Sequence, residues 1–350
     1  IKRLPTGISQ FRSISDSNLY YVDKTMYLPK MEAVSDFLFF IRPRRFGKSR
    51  FLSMVADYYD CENYKDIDEE FQGTWIAEHP LETKGKFQVL SLDFSQVVGC
   101  ADNLQDAFHV YLGIKIDAFL RKYGKYYSQK AIEAAHNAPT AGGKIAAFVG
   151  EAKEKGYQLY LSIDEYDNFT NVVLNEQGHD VYHEMTHGSG FYRDVFKTFK
   201  PNFTRILFMG VSPITLDDLT SGFNIATNIS VHYWFNNLLG FSETDVREMI
   251  RYYQEVGRIT KPEDEIIAEM KPWYDNYCFS EECYGVEPCM YNSNMVIYYM
   301  NTLITTGRPP KDMRDPNSKT DYAKMKRLVS LDRLDGDRKG VVRTIAEQGY

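Results

Sequence analysis

The stretch that decides the fold is Phe37-Leu-Phe-Phe-Ile41 followed by Arg42-Pro-Arg-Arg-Phe-Gly-Lys-Ser49. The short apolar run indicates a buried strand, and the helical spacing of Phe51, Leu52 and later apolar residues begins directly after the loop. In such a strand–loop–helix unit, helix-opening N–H groups, a lysine ammonium and a hydroxyl converge on one point. That arrangement suits a triphosphate with its Mg²⁺. The sequence therefore predicts a phosphate-binding loop.

The loop matches the Walker A pattern G-x-x-x-x-G-K-[ST] except at its first position, where Arg42 replaces glycine. Without that glycine the first turn must close differently, and Arg44 or Arg45 could contact phosphate in compensation. Whether Arg42, Arg44 and Arg45 hold phosphate or face outward toward a neighbouring subunit or domain stays open at this point. We expect the following residues to bind the nucleotide: Arg44, Arg45, Phe46, Gly47, Lys48, Ser49 and Arg50. Lys48 would also stabilise charge on the phosphates, and Ser49 would bind Mg²⁺.

A second chemical site follows the apolar run 159–163, which ends in Asp164-Glu165. Ligands of open α/β folds bind at the carboxyl edge of the sheet, where such a strand delivers its last residues. We expect Asp164 to hold Mg²⁺, directly or through water, and Glu165 to orient and deprotonate the attacking water. An acidic turn after any buried strand is the alternative. The joint occurrence with Gly47-Lys48-Ser49 favours a nucleotide site.

A third strand is predicted at Thr204–Val211, and it ends in Ser212-Pro213. In nucleoside triphosphatases with an added central strand, the strand beside the acidic pair ends in a polar residue that contacts the γ-phosphate or the water. Ser212 is placed for that catalytic role. A turn or helix-capping serine before proline is an equally good interpretation.

The order of elements predicts an α/β fold with a mainly parallel sheet. The predicted strands are 37–41, 87–93, 159–163 and 204–211. The predicted helices are 26–34, 103–123 and 131–155, the last broken by Pro139 and Gly142-Gly143. Leu19–Val22 is a β-prone run that we expect to brace the sheet.

Composition narrows the class of protein. With 350 residues, 43% of them hydrophobic, the chain can bury a large domain and a smaller one. A net charge of −7 gives no general attraction to nucleic acid. Cys278, Cys283 and Cys289 have neither zinc-knuckle nor disulfide-framework spacing, so we expect free thiols in a reducing cytosol. No apolar run is long enough to cross a membrane, and the start at Ile1 suggests a trimmed, cytoplasmic protein.

A competing motif is His183-Glu-Met-Thr-His187, which has the H-E-x-x-H pattern of zinc peptidases and is followed by Gly190 at the extended spacing. A helix would place both histidines on one face, beside His179. However, Arg193 occupies the position of the third histidine, and the glycines after His187 would end the helix. Adventitious metal binding is therefore a better prediction than zinc catalysis.

Several motifs together resemble the AAA-ATPase-like proteins, a bacterial family whose members often carry a PD-(D/E)XK nuclease-like domain at the C-terminus. The motifs are Arg42–Ser49, Tyr21-Val-Asp-Lys-Thr25, Ile163-Asp-Glu-Tyr-Asp167, Gly210-Val-Ser-Pro213, Ser221-Gly-Phe-Asn224, Gly240-Phe-Ser242 and Trp273-Tyr-Asp275. The resemblance spans about residues 5 to 300 and implies an AAA-like P-loop fold of the additional-strand (ASCE) branch. It also implies ATP binding and hydrolysis, with arginine as the family's usual residue at the first Walker position.

The resemblance suggests three regions: an ATPase core at 1–235, a smaller helical lid at 236–306, and a linker with the start of a C-terminal region at 307–350. Ser242-Glu-Thr-Asp245 resembles a capping box at the start of a lid helix. Lids often give a basic residue to the nucleotide, and Arg247, Arg251 and Arg258 are the candidates. The last stretch contains no nuclease carboxylate cluster, so we expect a nuclease-like domain to be absent from this chain.

The function hypotheses follow in order. The first is an Mg²⁺-dependent ATPase, with ATP and Mg²⁺ as cofactors and regulation of an attached nuclease-like domain as its wider role. The second is a nucleotide-binding switch or scaffold with little hydrolysis, and the third is the zinc peptidase. The sequence has no N-K-x-D guanine motif after a strand, which favours ATP. Self-association with an arginine supplied in trans remains open, and nucleic acid is expected as a partner only through a nuclease-like domain.

Overall fold

The computed structural model describes residues 1–63, 66–97, 103–168, 191–211 and 226–315. Residues Ile1–Pro309 form one compact unit, and Pro310–Tyr350 form a second, of which residues 310–315 are described. Within these ranges, no helix has the length and apolar character needed to cross a membrane.

The first unit is built on a five-stranded parallel sheet with the order β2-β3-β4-β1-β5. Its strands are β1 (Phe37–Ile41), β2 (Phe87–Asp93), β3 (Gln158–Asp164), β4 (Arg205–Gly210) and β5 (Thr227–Asn228). One strand, β4, lies between β1, which leads into the phosphate loop, and β3, which leads into the acidic pair. This inserted strand and the parallel order confirm the predicted P-loop NTPase-like α/β fold.

Helices cover both faces of the sheet and form a further group after it. They are α1 (Phe11–Asp16), α2 (Tyr27–Val34), α3 (Lys48–Tyr59), α4 (Ile67–Glu70), α5 (Trp75–Glu78), α6 (Leu104–Tyr123), α7 (Gln129–Asn137), α8 (Ala141–Glu154), α9 (Phe191–Phe199), α10 (Glu243–Glu255), α11 (Glu263–Tyr274) and α12 (Ser293–Thr306). The helices α10, α11 and α12 pack against one another. We call residues 236–306 the helical region.

Strand β1 is apolar throughout because both of its faces are buried. Leu38 and Phe40 enter a core formed with α2 and α3, while Phe39 enters a core formed with α6, α8 and α9. Successive side chains of a strand point to opposite faces, so a central parallel strand needs apolar residues at every position. This double burial is why a short run of five residues identifies the centre of the fold.

The predicted strands agree with the observed ones to within one residue at each end, and one helix prediction needs correction. The chain between α7 and α8 breaks around Pro139 as expected, but Gly142 and Gly143 lie inside the first turn of α8. Thr140 caps that helix by accepting a hydrogen bond from Gly143 N (3.1 Å). A cap of this kind satisfies a helix-opening N–H and supports a helix start despite the glycines.

The segment Leu19–Val22 does not join the sheet; Leu19 makes a single bridge with Arg3. The residues after it instead hold two helices. Asp23 accepts a hydrogen bond from Trp75 N (2.6 Å) at the start of α5. Lys24 pairs with Asp245 (3.1 Å) at the start of α10. No residue of Leu19–Val22 therefore belongs to a strand of the sheet, although the Tyr21 side chain packs against the core on one of its faces.

The start of the helical region follows its sequence pattern. Ser242 and Asp245 form the predicted capping box: the Ser242 hydroxyl accepts from Asp245 N, and the Asp245 carboxylate accepts from Ser242 N. The division of the first unit into a core at 1–235 and a lid at 236–306 stays a prediction.

Candidate functional site

The phosphate loop joins β1 to α3 and turns at residues with left-handed backbone geometry. Arg45 has φ of 71° and Gly47 has φ of 92°, a region that glycine enters freely and other residues rarely adopt. Lys48 then begins α3. The first N–H groups of a helix have no intrahelical partner, and with the helix dipole they favour an anion at this end. The loop thus presents a helix start suited to phosphate although its first Walker glycine is absent.

The carbonyl groups of the same loop face the helical region. The bonds are Asn292 Nδ2 to Arg44 O (3.4 Å), Ser293 Oγ and Asn294 N to Arg45 O (3.2 and 3.3 Å), and Gly240 N to Phe46 O (3.2 Å). Three consecutive carbonyl groups are therefore held by residues that are distant in the sequence. The partners in the Asn292 and Ser293 bonds are 248 positions apart. The loop's shape depends on the helical region as well as on β1 and α3.

Lys48 is the buried cation of the site, with 5% of its surface exposed. Its ammonium donates to Arg42 O (3.2 Å) and Pro43 O (3.1 Å) of its own loop. Burial lowers the pKa of Lys48, and the nearby Glu165 and Asp164 carboxylates oppose that shift. Anionic ligands would stabilise the charged form in the same way.

Asp164 and Glu165 lie at the carboxyl end of β3, facing this lysine. Ser49, in the first turn of α3, lies near the Asp164 carboxyl. Burial raises the pKa of both carboxyl groups, and Lys48 acts against the shift in each case. Glu165 has a φ of 49°, an uncommon conformation for a residue with a side chain. Strained backbone of this kind clusters at functional sites.

A cavity of about 510 Å³ lies where the loop meets the strand ends. Its size is within the range of small-molecule sites. The predicted residues that line it are Arg44, Arg45, Gly47, Lys48, Ser49, Arg50, Asp164 and Glu165. Phe46 is not one of the lining residues, because its ring packs against Tyr277 with centroids 4.8 Å apart. Ser212 lies outside the described residues, so its role stays a prediction.

Arg42 is part of the core and does not line the cavity; 1% of its surface is exposed. Its guanidinium donates to Ser230 O (2.7 Å) and Phe235 O (2.8 Å). It also lies over the rings of Phe40 (4.1 Å) and Phe279 (3.9 Å). The arginine at the first Walker position therefore joins the end of β1 to the chain that follows β5, and neither expected orientation, toward phosphate or outward, applies to it.

Arg50 lies between the cavity and the N-terminal segment. It lines the cavity, but its guanidinium donates to Pro5 O (3.0 Å) and Ile8 O (2.8 Å). These bonds hold the N-terminal segment, whose residues Gly7, Ile8 and Ser9 form one wall of the cavity. Direct contact between Arg50 and a nucleotide stays a prediction.

Sequence reasoning did not identify several other lining residues. They are Gly7, Ile8, Ser9, Asp93, Ser95, Asn168, Ser293, Asn294 and Ile297. Asp93 carried a usable signal, since it is a carboxylate at the end of a predicted strand. The residues of α12 carried a weaker one: Asn292 before an apolar helix predicts an N-cap, which the structure has, but not a position beside the loop.

The turn after Glu165 is locked to the end of β4. Asp167 is 1% exposed, and its carboxylate accepts from Val211 N (3.2 Å). Gly210 leaves room for this contact, because a Cβ there would lie 2.2 Å from the ring of Tyr166 and 2.6 Å from Asp167 Oδ1. The carboxyl ends of β3 and β4 are thus packed against each other through the turn that follows Glu165.

The candidate lid arginines do not line the cavity. Arg247 donates to Glu263 (2.6 Å), and Arg251 donates to the same carboxylate (2.8 Å). These ion pairs join α10 to α11. The part of the helical region that reaches the cavity is the start of α12.

The zinc motif is only partly covered by the structure. His179, His183 and His187 lie outside the described residues. Within the described ranges, no group of three or more His, Cys, Asp or Glu side chains is arranged to hold a metal ion. The cysteines at 61, 278, 283 and 289 are free thiols.

Comparison with known proteins gives a family match over the part of the chain that contains the phosphate loop and the acidic pair. The AAA-ATPase-like family model, described as "Predicted AAA-ATPase", matches residues 5–220. This range includes the phosphate loop, β3 with its acidic pair, and β4.

Two individual proteins are also similar. An "uncharacterized protein in vnfD 5'region" of Azotobacter chroococcum mcd 1 is 26% identical over 289 residues, covering 80% of this chain and 49% of the relative. The chain thus spans about half the length of that curated relative. The solved structure of the Aeropyrum pernix ORC2 protein in ADPNP-ADP complexes is 12% identical, with a TM-score of 0.40 over 96% of this chain and 77% of that one.

Proposed function

This chain belongs to the AAA-ATPase-like family, and we propose that its phosphate loop and strand ends bind ATP with Mg²⁺ and hydrolyse it. The observation that carries the proposal is that Lys48, Ser49, Asp164 and Glu165 all line one cavity. A phosphate-loop hydroxyl and a carboxylate at the end of another strand of the same sheet are the two groups with which such a nucleotide site holds its metal ion.

The donor set fits a magnesium ion. Ser49 and Asp164 offer a hydroxyl and a carboxylate oxygen, which are ligands that Mg²⁺ accepts while it retains several waters. These two residues would hold the ion. Bound there, Mg²⁺ would neutralise charge on the phosphate oxygens during transfer.

The chain's own residues supply the remaining functions. The N–H groups at the start of α3 and the Lys48 ammonium would bind the phosphates, once Lys48 leaves the carbonyls of Arg42 and Pro43. Arg44 and Arg45 line the cavity and add positive charge. Glu165 would orient a water and accept its proton, a role typical of a carboxylate beside the phosphate site.

The test is Glu165→Gln, which keeps size and polarity but removes the base. We expect nucleotide affinity to be retained and turnover to fall by about 10²- to 10⁴-fold. Lys48→Ala is the matched comparison and should lose nucleotide binding itself. Unchanged turnover in Glu165→Gln would contradict the assignment. Wild-type protein that binds ATP but releases no phosphate would select the binding switch in place of the ATPase.

We further propose that residues 236–306 act as a lid and that, in a longer protein, the nucleotide cycle regulates a nuclease-like domain. The hydrogen bonds from the start of α12 to the loop support the first part. The family resemblance supports the second. Limited proteolysis with and without ATP tests the lid: protection near residues 236–306 is expected, and an unchanged cleavage pattern would contradict it.

A further inference from the structure

Asp93 is a carboxylate at the cavity that the proposed ATPase chemistry does not yet use. It ends β2, and the register of the sheet places it directly opposite Asp164 at the end of β3. Both residues line the cavity together with Ser49. Two carboxylates side by side at the edge of a parallel sheet repel each other unless positive charge lies near them.

The Asp93 carboxylate is held in one orientation. Its Oδ1 accepts from Ser95 N (3.0 Å) and Ser95 Oγ (2.6 Å), and its Oδ2 accepts from Gln96 Nε2 (3.0 Å). Its own N–H donates to the Tyr111 hydroxyl (2.6 Å). A carboxylate can accept about four hydrogen bonds, so these contacts fix the group and leave it capacity to accept more.

A second, polar cavity of about 390 Å³ adjoins the first at this point. Its lining includes Asp93, Asp164 and Ser49 again, together with Ser91 and Ser162. The hydroxyls of Ser91 and Ser162 are hydrogen-bonded to each other (3.2 Å) on the strand faces below the carboxylates. A polar cavity of this size has room for water beside Asp93.

On these grounds, and resting on the proposed Mg–ATP function, we infer that Asp93 is a positioning residue that accepts hydrogen bonds from the water shell of the magnesium ion held by Ser49 and Asp164. Outer-shell carboxylates orient the groups around a metal ion and affect its affinity. Asp93 thereby extends the anionic side of the site from β3 to β2.

The competing explanation is that Asp93 only caps the short turn 94–96. Asparagine caps such turns about as well as aspartate, so Asp93→Asn separates the two roles. Asp106→Asn is the matched control, since it also removes one negative charge, from the exposed first turn of α6 outside both cavities.

The experiment measures ATP binding by the whole chain as Mg²⁺ is titrated, and again in EDTA, with thermal unfolding as a check on the fold. For Asp93→Asn we expect the Mg²⁺ concentration at half-maximal binding to rise about tenfold. In EDTA, affinity for metal-free ATP should rise, because a negative charge near the phosphates has been removed. The unfolding temperature should stay unchanged, and Asp106→Asn should match wild type in both buffers.

An Asp93→Asn protein with the wild-type Mg²⁺ midpoint would overturn the inference and leave Asp93 as a cap. Equal changes in Asp93→Asn and Asp106→Asn would also overturn it, since they would reflect general charge. Wild-type protein that binds no ATP in either buffer would overturn the proposed function as well, so the two failures are distinguishable.

Discussion

The cationic and anionic sides of the cavity face each other but are held in different ways. The cationic side is the loop 42–49, whose carbonyl groups are bound by residues of the helical region and whose Arg42 is anchored to the chain after β5. The anionic side is the end of β3, which is held by the neighbouring strands through register and through Asp167. The loop therefore depends on distant parts of the chain, while the strand ends depend on the sheet itself.

The strongest test of this contrast is Arg42→Gly, which restores the Walker consensus. We expect it to lower the free energy of unfolding by about 3 to 5 kcal/mol, because buried carbonyls at Ser230 and Phe235 lose their donors and glycine adds backbone entropy to the unfolded chain. Chemical denaturation measures the change. If the variant is as stable as wild type and binds ATP more tightly, the Arg42 side chain does not stabilise the fold and glycine is the better residue for nucleotide binding at this position.

The anionic side is tested by Asp167→Ala. The Val211 N–H loses its carboxylate acceptor, and we expect a loss of about 2 kcal/mol in the free energy of unfolding. Asp167→Asn retains an acceptor oxygen and should lose less. If both substitutions are neutral in chemical denaturation, the end of β4 is held by other contacts.

The dependence of the loop on the helical region is tested at Asn292. Its Oδ1 caps α12 by accepting from Met295 N (3.3 Å), while its Nδ2 binds Arg44 O. Asn292→Ala removes both contacts and should cost about 1 kcal/mol of stability. Asn292→Asp keeps the cap, removes the donor to the loop and adds a negative charge.

For Asn292→Asp we expect near-normal stability with ATP affinity about two- to threefold lower, the size of a weak hydrogen bond. Calorimetric titration with ATP measures it. Wild-type affinity in both Asn292 variants would mean that the loop does not need the bond from Asn292 to keep its shape.

The smallest effect on stability is expected for Arg44→Ala, two positions from Arg42. Arg44 is exposed and lines the cavity, so the free energy of unfolding should change by less than about 0.5 kcal/mol. ATP affinity should fall about tenfold if its guanidinium binds phosphate. Unchanged affinity would remove Arg44 from the nucleotide site.

The parts of the fold that local pattern predicts are those whose cause is local. The apolar run 37–41, the carboxylates that end β3 and the capping box at Ser242 each identify an element from a few adjacent residues. The parallel sheet and the meeting of loop and acidic pair at its carboxyl edge followed from the general behaviour of alternating strands and helices. Glu165 and Lys48 lie on one cavity for that reason.

The parts that were missed depend on contacts between residues far apart in sequence. Arg42 and Ser230 are 188 positions apart, and nothing in the pattern around Arg42 indicates that its side chain turns into the core. The bond from Ser293 to Arg45 is of the same kind. Asp93 was visible as a carboxylate, but its position opposite Asp164 required the register of the sheet.

The packing at Gly210 has a consequence for how this sequence can vary. A side chain at that position would collide with Tyr166 and Asp167, whose places are set by the turn after Glu165. In a saturation library we therefore expect glycine alone to survive at position 210, whereas the aliphatic positions before it should accept substitutions of similar volume. Small replacements at 166 that open space there should widen the range of residues permitted at 210, so the two positions should vary together.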